Sequence, residues 1–388
     1  MSFEITLQIF SGGFLGKPVS FETVERKLNA VLPRLPVSRV FMGWAPGKEL
    51  YEKTAELLAK QNIEFYLWLP VFSETGSLRP QSALVDFYGR KLKGNTGHAE
   101  EDFSFCCPNV PANIENVLDI FEREFSSIPF TGIFLDKIRY PSFAQGFTSV
   151  FSCFFPHCLA LYKKENFDIE ELKNILCAST DLKIKNYQIN GIYEFEDLRI
   201  SNFFSLKAAF IFRSLEYVSR YFKEKGYSVG FDVFAPFLSF FIGQDLPALS
   251  TLCDFMKPMM YRATQAPAGL PFETEMLLAE TVGADRNKRK SFYTMLGIDG
   301  KKIPFDLAFS SKELEKLVQV SACPVFAGIE INRKKDLAEV YPDYIEETIR
   351  AYARARVQGL ALSWDLLDAP EDNILKTAEE IKKIHNQD

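Results

Sequence analysis

The sequence is poor in the residues on which several common chemistries depend, and each shortage narrows what the chain can do. Its 388 residues include three histidines, His98, His157 and His385, with no nucleophile-plus-histidine pattern around them. Activation of a serine or cysteine by a neighbouring base is therefore not indicated. The seven cysteines, an odd number scattered along a long chain, do not look like a disulfide framework and suit a reducing cytoplasm. No lysine–arginine cluster stands out beyond short runs such as Arg286 to Lys290, and the formal net charge is -6, so nucleic acid is not an expected partner. Glycines follow neither the G-x-G-x-x-G spacing nor a Walker loop, and those of Phe10 to Gly16 read as an ordinary loop. No apolar run approaches the length of a membrane span, and the amino terminus MSFEITLQIF lacks the basic, apolar and small-residue regions of a secretory signal. The expectation is a soluble cytoplasmic protein with no membrane partner, of unspecified oligomeric state.

What the chain has in quantity is apolar and aromatic side chain. It is 47% hydrophobic and carries 37 phenylalanines and 15 tyrosines, enough for a thick core and for a site with flat faces. Eight short apolar runs read as strands: Ile5 to Phe10, Val37 to Met42, Ile63 to Pro70, Gly132 to Leu135, Ser228 to Phe234, Phe255 to Met260, Val325 to Ile331 and Leu360 to Trp364. Helical patterns lie between them, among them Phe21 to Leu32, Ala112 to Phe125 and Asn202 to Lys225. Eight β/α units predict a (β/α)₈ TIM barrel, with an open doubly wound sheet as the alternative. Two connections are too long for plain loops: Glu74 to Glu101, and Ser142 to Ile200, which carries helices of its own. The domain expectation is a single barrel over residues 1–388, with a helical insertion at 142–200 between the fourth and fifth strands.

In a parallel barrel the chemistry sits where strands leave the sheet at their carboxyl ends. The fourth run ends on Asp136, with Arg139, Tyr140 and Pro141 just beyond; the fifth carries Asp232, the sixth Lys257 and then Tyr261, the seventh Glu330, and the eighth ends on Trp364 and Asp365. An Asp–Arg pair of this kind can also do no more than tie down a loop, and Glu330 and Asp365 can be ion-paired structural groups. Recurrence at several exits favours function. Two carboxylates without a histidine-based nucleophile suit acetal cleavage, one protonating the leaving oxygen while the other attacks or activates water. Trp44, Trp68 and Trp364 all fall at or near strand exits, where sugar rings could stack.

The block Thr131-Gly132-Ile133-Phe134-Leu135-Asp136-Lys137-Ile138-Arg139-Tyr140-Pro141 resembles the fourth-strand pattern D-G-I-x-x-D-x-I/V-R-Y/F-P of bacterial glycoside-hydrolase-like TIM-barrel families, with Thr131 in place of the usual acid. Cys107-Pro108-Asn109 is similar to their C-P-N/S element, Phe231 to Phe234 to their D-V-F block, and Ile242 to Leu246, Cys253-Asp254 and Lys257 to Tyr261 to the stretch that follows. The likeness covers roughly residues 60 to 365. It implies a (β/α)₈ barrel acting on a carbohydrate. Cys153 to Cys158 resembles a C-x-C-x-x-C element of related barrels, with Phe155 replacing the middle cysteine.

The resulting expectation is a glycoside hydrolase cleaving an oligo- or polysaccharide. Asp136 and Asp232 are its catalytic carboxylates, with Glu330 third in line. Arg139, Tyr140, Lys257, Tyr261, Trp68, Trp364 and Asp365 bind substrate. Asp232, set among Phe231, Phe234 and Phe237, suits the acid, and Asp136, beside Lys137 and Arg139, a nucleophile or a carboxylate that stabilises the oxocarbenium ion, with the reverse assignment left open. No metal or organic cofactor is expected: Cys153 and Cys158 with Cys106 and Cys107 upstream offer a conceivable thiolate zinc site, but C-x₄-C is not a clean zinc spacing and the cysteines read rather as packing thiols. Two alternatives stay open: a barrel that binds a glycan without cleaving it, and a lyase or isomerase using Lys257 as base or imine-forming amine.

Overall fold

A computed structural model describes residues 3–13, 18–73, 83–92, 104–189, 191–300 and 302–386. Most of the long connection expected at Glu74 to Glu101 lies outside the described residues. Eight parallel strands close on themselves: β1 (Glu4–Gly12), β2 (Val37–Trp44), β3 (Glu64–Pro70) and β4 (Gly132–Asp136) come first. A two-stranded hairpin follows, β5 (Ile184–Gln188) with β6 (Ile192–Phe195), and the barrel resumes with β7 (Ser228–Phe234), β8 (Phe255–Met259) and β9 (Phe326–Glu330). After the short pair β10 (Arg333–Lys334) and β11 (Ala338–Glu339), β12 (Gly359–Ser363) pairs with both β9 and β1 and completes the ring. The fold is the (β/α)₈ barrel expected from the alternation. Strands β4, β8, β9 and β12 are buried at every position, which explains why they read as unbroken apolar runs rather than alternating ones.

The outer helices begin with α1 (Phe21–Val31) and α2 (Lys48–Ala59), followed by α3 (Pro111–Glu124). Ser20 starts α1 by accepting from the Thr23 N–H, and Val24, Leu28 and Val31 form its buried stripe. Between β4 and β7 lie α4 (Phe147–Val150), α5 (Pro156–Lys164), α6 (Ile169–Ala178), the β5–β6 hairpin and the long α7 (Leu198–Glu224). The hairpin was not foreseen, although Asn190-Gly191 between two alternating segments is a strong hairpin signal. The remaining helices are α8 (Pro236–Ser239), α9 (Leu246–Leu249), α10 (Leu270–Thr281), α11 (Arg286–Leu296), α12 (Leu307–Val320), α13 (Pro342–Arg354) and α14 (Glu371–His385). Among the described residues no helix is long and apolar enough to cross a membrane.

Inside the barrel, successive inward side chains stand two residues apart along each strand. At the amino-terminal end, the Arg39 guanidinium lies 4.8 Å from the Phe255 ring and 4.6 Å from Phe326, and pairs with Glu4 at 2.9 Å and Glu64 at 3.3 Å. Above it the Phe41 ring stacks on Phe134 at 4.0 Å and on Phe255 at 5.7 Å. Two residues further along the same strands stand Asp136 and Lys257, so an apolar plug gives way to a polar layer under the carboxyl-terminal rim. Phe134 is completely buried in that plug. Phe134→Ala is expected to cost about 3–5 kcal/mol, read as a lower urea midpoint with an unchanged slope.

Candidate functional site

The carboxyl-terminal rim holds a cleft of about 810 Å³, counting its open mouth. Its apolar lining includes Phe10 from β1, Trp44 from β2, Trp68 from β3 and Trp364 after β12; its polar lining includes Gln8, Asp136, Lys137, Arg139, Asp232 and Tyr261. Trp44 and Trp68 meet edge to face at 4.8 Å, and Phe10 meets Trp44 the same way at 5.0 Å, giving one wall of interlocked rings. Of the expected site residues, Asp136, Asp232, Arg139, Tyr261, Trp68 and Trp364 line this cleft.

The two aspartates come from neighbouring strands. Leu135 pairs in register with Phe231, so Asp136 and Asp232 follow one residue later on each strand. Asp136 is positioned as an acceptor: Oδ2 receives the Trp68 indole N–H at 2.9 Å, and Oδ1 the Lys137 backbone N–H. The Asp232 environment differs. Its Oδ2 accepts from Lys257 Nζ at 2.9 Å, while its buried Oδ1 has no partner. Burial pushes the Asp232 carboxyl up to about 7, and the negative charge of Asp136 adds to this; Lys257 and Arg139 oppose it without reversing it.

Lys257 is fully buried and spends its three donors on Asp232, on Gln8 Oε1 at 2.9 Å and on Tyr261 Oη at 2.7 Å. It holds Asp232 from behind and is not part of the cleft lining, contrary to its expected role in gripping substrate. Arg139 donates to the Tyr140 carbonyl at 3.0 Å, and its guanidinium lies 4.7 Å from the Phe105 ring and 4.4 Å from Phe234. Gln244 braces the exits of β4 and β7: its Oε1 accepts from the Phe234 N–H at 2.9 Å, and its Nε2 donates to the Ile138 carbonyl at 3.3 Å. The stretch around Gln244 that resembles the family block is thus a brace at this rim.

Besides Lys257, three expected site residues turn away from the cleft. Glu330, expected as a third catalytic group, is completely buried, and its carboxylate collects the N–H groups of Arg262, Ala263 and Thr264 at 3.1, 2.8 and 2.9 Å, the Thr264 hydroxyl at 3.0 Å and the Tyr344 hydroxyl. It is the anchor of the loop after β8. Asp365 accepts from the Leu367 and Phe10 N–H groups at 3.1 and 3.2 Å and caps the turn behind Trp364. Tyr140 is completely buried against Lys207, whose Nζ stands 4.2 Å from its ring. The left-handed backbone at Lys137 breaks the alternation of β4, so that Arg139 faces the cleft and Tyr140 the insertion. Thr131, the departure from the family pattern, clips the amino end of β4 to β3 by accepting from the Phe65 N–H at 3.1 Å, at the opposite rim.

Sequence reasoning missed Gln8, Phe10 and Lys137 as lining groups. Gln8 had a signal, being the one amide in the apolar run Ile5 to Phe10. Lys137 did not: it adopts a left-handed φ of 50°, rare for a non-glycine residue, and sets its ammonium 4.8 Å from the Trp44 ring. The other cleft residue with positive φ is Ala268, at 72°. Among the described residues one group of cysteines, aspartates, glutamates or histidines has the compactness of a metal site, Cys107, Cys153 and Cys158, and it stands outside the cleft.

No family model and no curated protein matches the chain by sequence. Its fold is similar to that of the PgaB (BpsB) glycoside hydrolase domain from Bordetella bronchiseptica, with a TM-score of 0.60 at 13% identity, over 98% of this chain and 99% of that one. It is also similar to a class V chitininase from Pseudomonas fluorescens Pf-5, TM-score 0.50 at 10% identity over 97% and 99% of the two chains. An alpha-L-fucosidase isoenzyme 2 from Paenibacillus thiaminolyticus gives 0.50 at 10% over 99% of this chain and 49% of the other. At these identities the likeness is one of fold.

Glu330 generates a stability prediction. Glu330→Gln replaces one of its acceptor oxygens by an NH₂ facing backbone donors, and is expected to cost on the order of 1–3 kcal/mol in urea denaturation. A variant as stable as wild type would mean that the carboxylate is not the loop anchor.

Proposed function

We propose that the protein is a glycoside hydrolase acting on an oligo- or polysaccharide, with Asp232 as general acid and Asp136 as the second carboxylate. The observation that carries this reading is the contrast between two carboxyl groups on adjacent strands of one aromatic-walled cleft. A glycosidic bond needs a carboxylic acid that still holds its proton near neutral pH, and a second carboxylate directed at the anomeric centre. Asp232 has the buried, desolvated setting of the first. With Oδ2 occupied by Lys257, the unpartnered Oδ1 is the oxygen that carries and donates the proton. Asp136 suits the second role, because two N–H donors orient its carboxylate. The cleft's Trp44, Trp68 and Trp364 offer faces and edges for the apolar sides of sugar rings.

In the proposed reaction, Asp232 protonates the departing glycosidic oxygen as the bond to the anomeric carbon breaks. Asp136 meets the positive charge that develops there, either by attacking the carbon or by activating a water. Lys257, left beside the newly ionised Asp232, stabilises the product carboxylate. The lyase or isomerase reading draws little support, since all three Lys257 donors are engaged and the amine is buried behind Asp232. That the neighbouring folds include proteins named as a glycoside hydrolase domain, a chitininase and a fucosidase is consistent with a carbohydrate substrate.

Two measurements test the reading. Incubation with a panel of aryl glycosides and oligosaccharides is expected to show turnover that Asp136→Asn and Asp232→Asn each reduce by at least ~10³-fold, a loss of about 4 kcal/mol of transition-state stabilisation. Added azide should rescue one variant as a glycosyl azide. Binding of the same sugars without turnover would instead favour a glycan-binding barrel. The second measurement is the pH dependence of kcat/KM, which should fall as pH rises through about 7, because Asp232 must be protonated in the free enzyme. The sign for stability is the same: the folded Asp232 binds its proton more tightly than the unfolded one, so its contribution is complete at low pH and is lost as pH rises through about 7. A kcat/KM profile flat between pH 5 and 9 would remove Asp232 from the role of acid.

A further inference from the structure

We propose that Cys107, Cys153 and Cys158 hold one zinc ion through three thiolates, joining the segment before α3 to the insertion after β4. The three sulfurs are buried and lie within 4.8 Å of one another, and the Cys107 and Cys158 sulfurs are 3.3 Å apart. A tetrahedral zinc with Zn–S bonds of about 2.3 Å separates its sulfurs by roughly 3.8 Å, so the cluster has the size of a single-ion site. A many-iron cluster needs its sulfurs farther apart. Cys106, next in sequence, is not in the group; its N–H pairs with the Phe72 carbonyl at 2.9 Å.

The surroundings are those of sulfur atoms that accept rather than donate. Cys153 Sγ receives the Val85 and Phe155 N–H groups, each at 3.4 Å, and Cys158 Sγ receives Asn109 Nδ2 at 3.5 Å. Such N–H···S contacts are the outer shell that orients metal-bound thiolates. Charge gives an independent argument. Lys207 of α7 is completely buried and donates to the Val150 carbonyl, and among the described residues no carboxylate pairs with it. Burial works against its ammonium form, and a negative charge nearby works for it. A zinc ion with three thiolates and a neutral fourth ligand carries one net negative charge, which the Lys207 ammonium offsets. Buried charges are tolerated when paired in this way.

The Tyr162 hydroxyl is also completely buried, faces the backbone of Cys153 and makes no hydrogen bond of good geometry. It supplies a partner for a water in the fourth coordination position. The position of the site assigns it a structural role. Cys107 lies two residues from Phe105, which packs on Arg139, and Cys153 and Cys158 lie in the insertion, so the metal fastens the two segments that flank the cleft on this side.

The test uses the full chain, reduced and purified without chelator. Elemental analysis is expected to find one zinc per chain, and Co²⁺ added to the chelator-stripped protein should give thiolate-to-cobalt charge-transfer bands saturating at one equivalent. Cys153→Ser and Cys158→Ser should lose the metal and the bands, Cys106→Ser should keep both, and chelation should lower the melting temperature of the wild type. Should the serine variants fail to fold, the wild-type cobalt titration decides. Reduced wild-type protein that takes up neither zinc nor cobalt overturns the proposal, and so does metal retained in Cys158→Ser. A Cys107–Cys158 disulfide as the stable form of freshly isolated protein overturns it as well, in favour of a redox pair. None of these outcomes depends on the catalytic reading.

Discussion

The hydrogen-bonded closure of eight parallel strands is the constraint on which the rest depends. Once β12 pairs with both β1 and β9, all eight carboxyl ends share one rim, and every second residue of each strand points into a common interior. A side chain's fate is then set by its parity and its height. Phe134 and Phe255 fall in the plug; Asp136 and Lys257, two residues on, fall in the polar layer. The interior has room for these long groups because glycines face them. A Cβ on Gly230 would stand 2.1 Å from the Phe255 ring, and one on Gly328 would stand 2.5 Å from Lys257 Cε. The apolar plug below also keeps water from reaching the polar layer from the opposite end.

That dryness decides the electrostatics. Asp232 has an ammonium at 2.9 Å, and near water such a pair would hold the carboxyl low. Here the loss of hydration outweighs the attraction, and the nearby charge of Asp136 acts in the same direction as burial. Lys257 is satisfied by three acceptors, two of them neutral, so its own charge does not require Asp232 to be ionised. The network thus fixes the orientation of Asp232 while leaving its protonation state free to change, which is what an acid in catalysis needs. Asp136, one strand away, is held instead by N–H donors at its oxygens.

Around this layer the rim is braced rather than loose. Gln244 links the exits of β4 and β7, Glu330 gathers the loop after β8, and Asp365 caps the turn behind Trp364. Several of these are residues whose polarity in an apolar context made them candidates for chemistry. Their work is to satisfy buried backbone N–H groups, a demand as strict as catalysis and one that selects the same residue types.

The sequence by itself determined the architecture: eight apolar runs, each within about two residues of a barrel strand, separated by helical patterns, leave few other ways to bury that much apolar surface. It also marked Asp136, Asp232, Arg139, Trp68, Trp364 and Tyr261, because a charged or aromatic side chain at the end of a fully buried strand has only the rim to occupy. Only the tertiary structure decided which rim residues face the cleft. Glu330 and Asp232 look alike along the chain, each an acid within an apolar strand, yet one meets four donors from the loop after β8 and a fifth from Tyr344 of α13, and the other meets a lysine and leaves one oxygen free. Tyr140 and Lys257 were likewise separated from the cleft by contacts with α7 and β1, elements distant in sequence. The sequence suggested that Cys106 and Cys107 stand near Cys153 and Cys158; only the folded chain decided that Cys107 and not Cys106 joins them, because adjacent residues point to opposite sides of their segment.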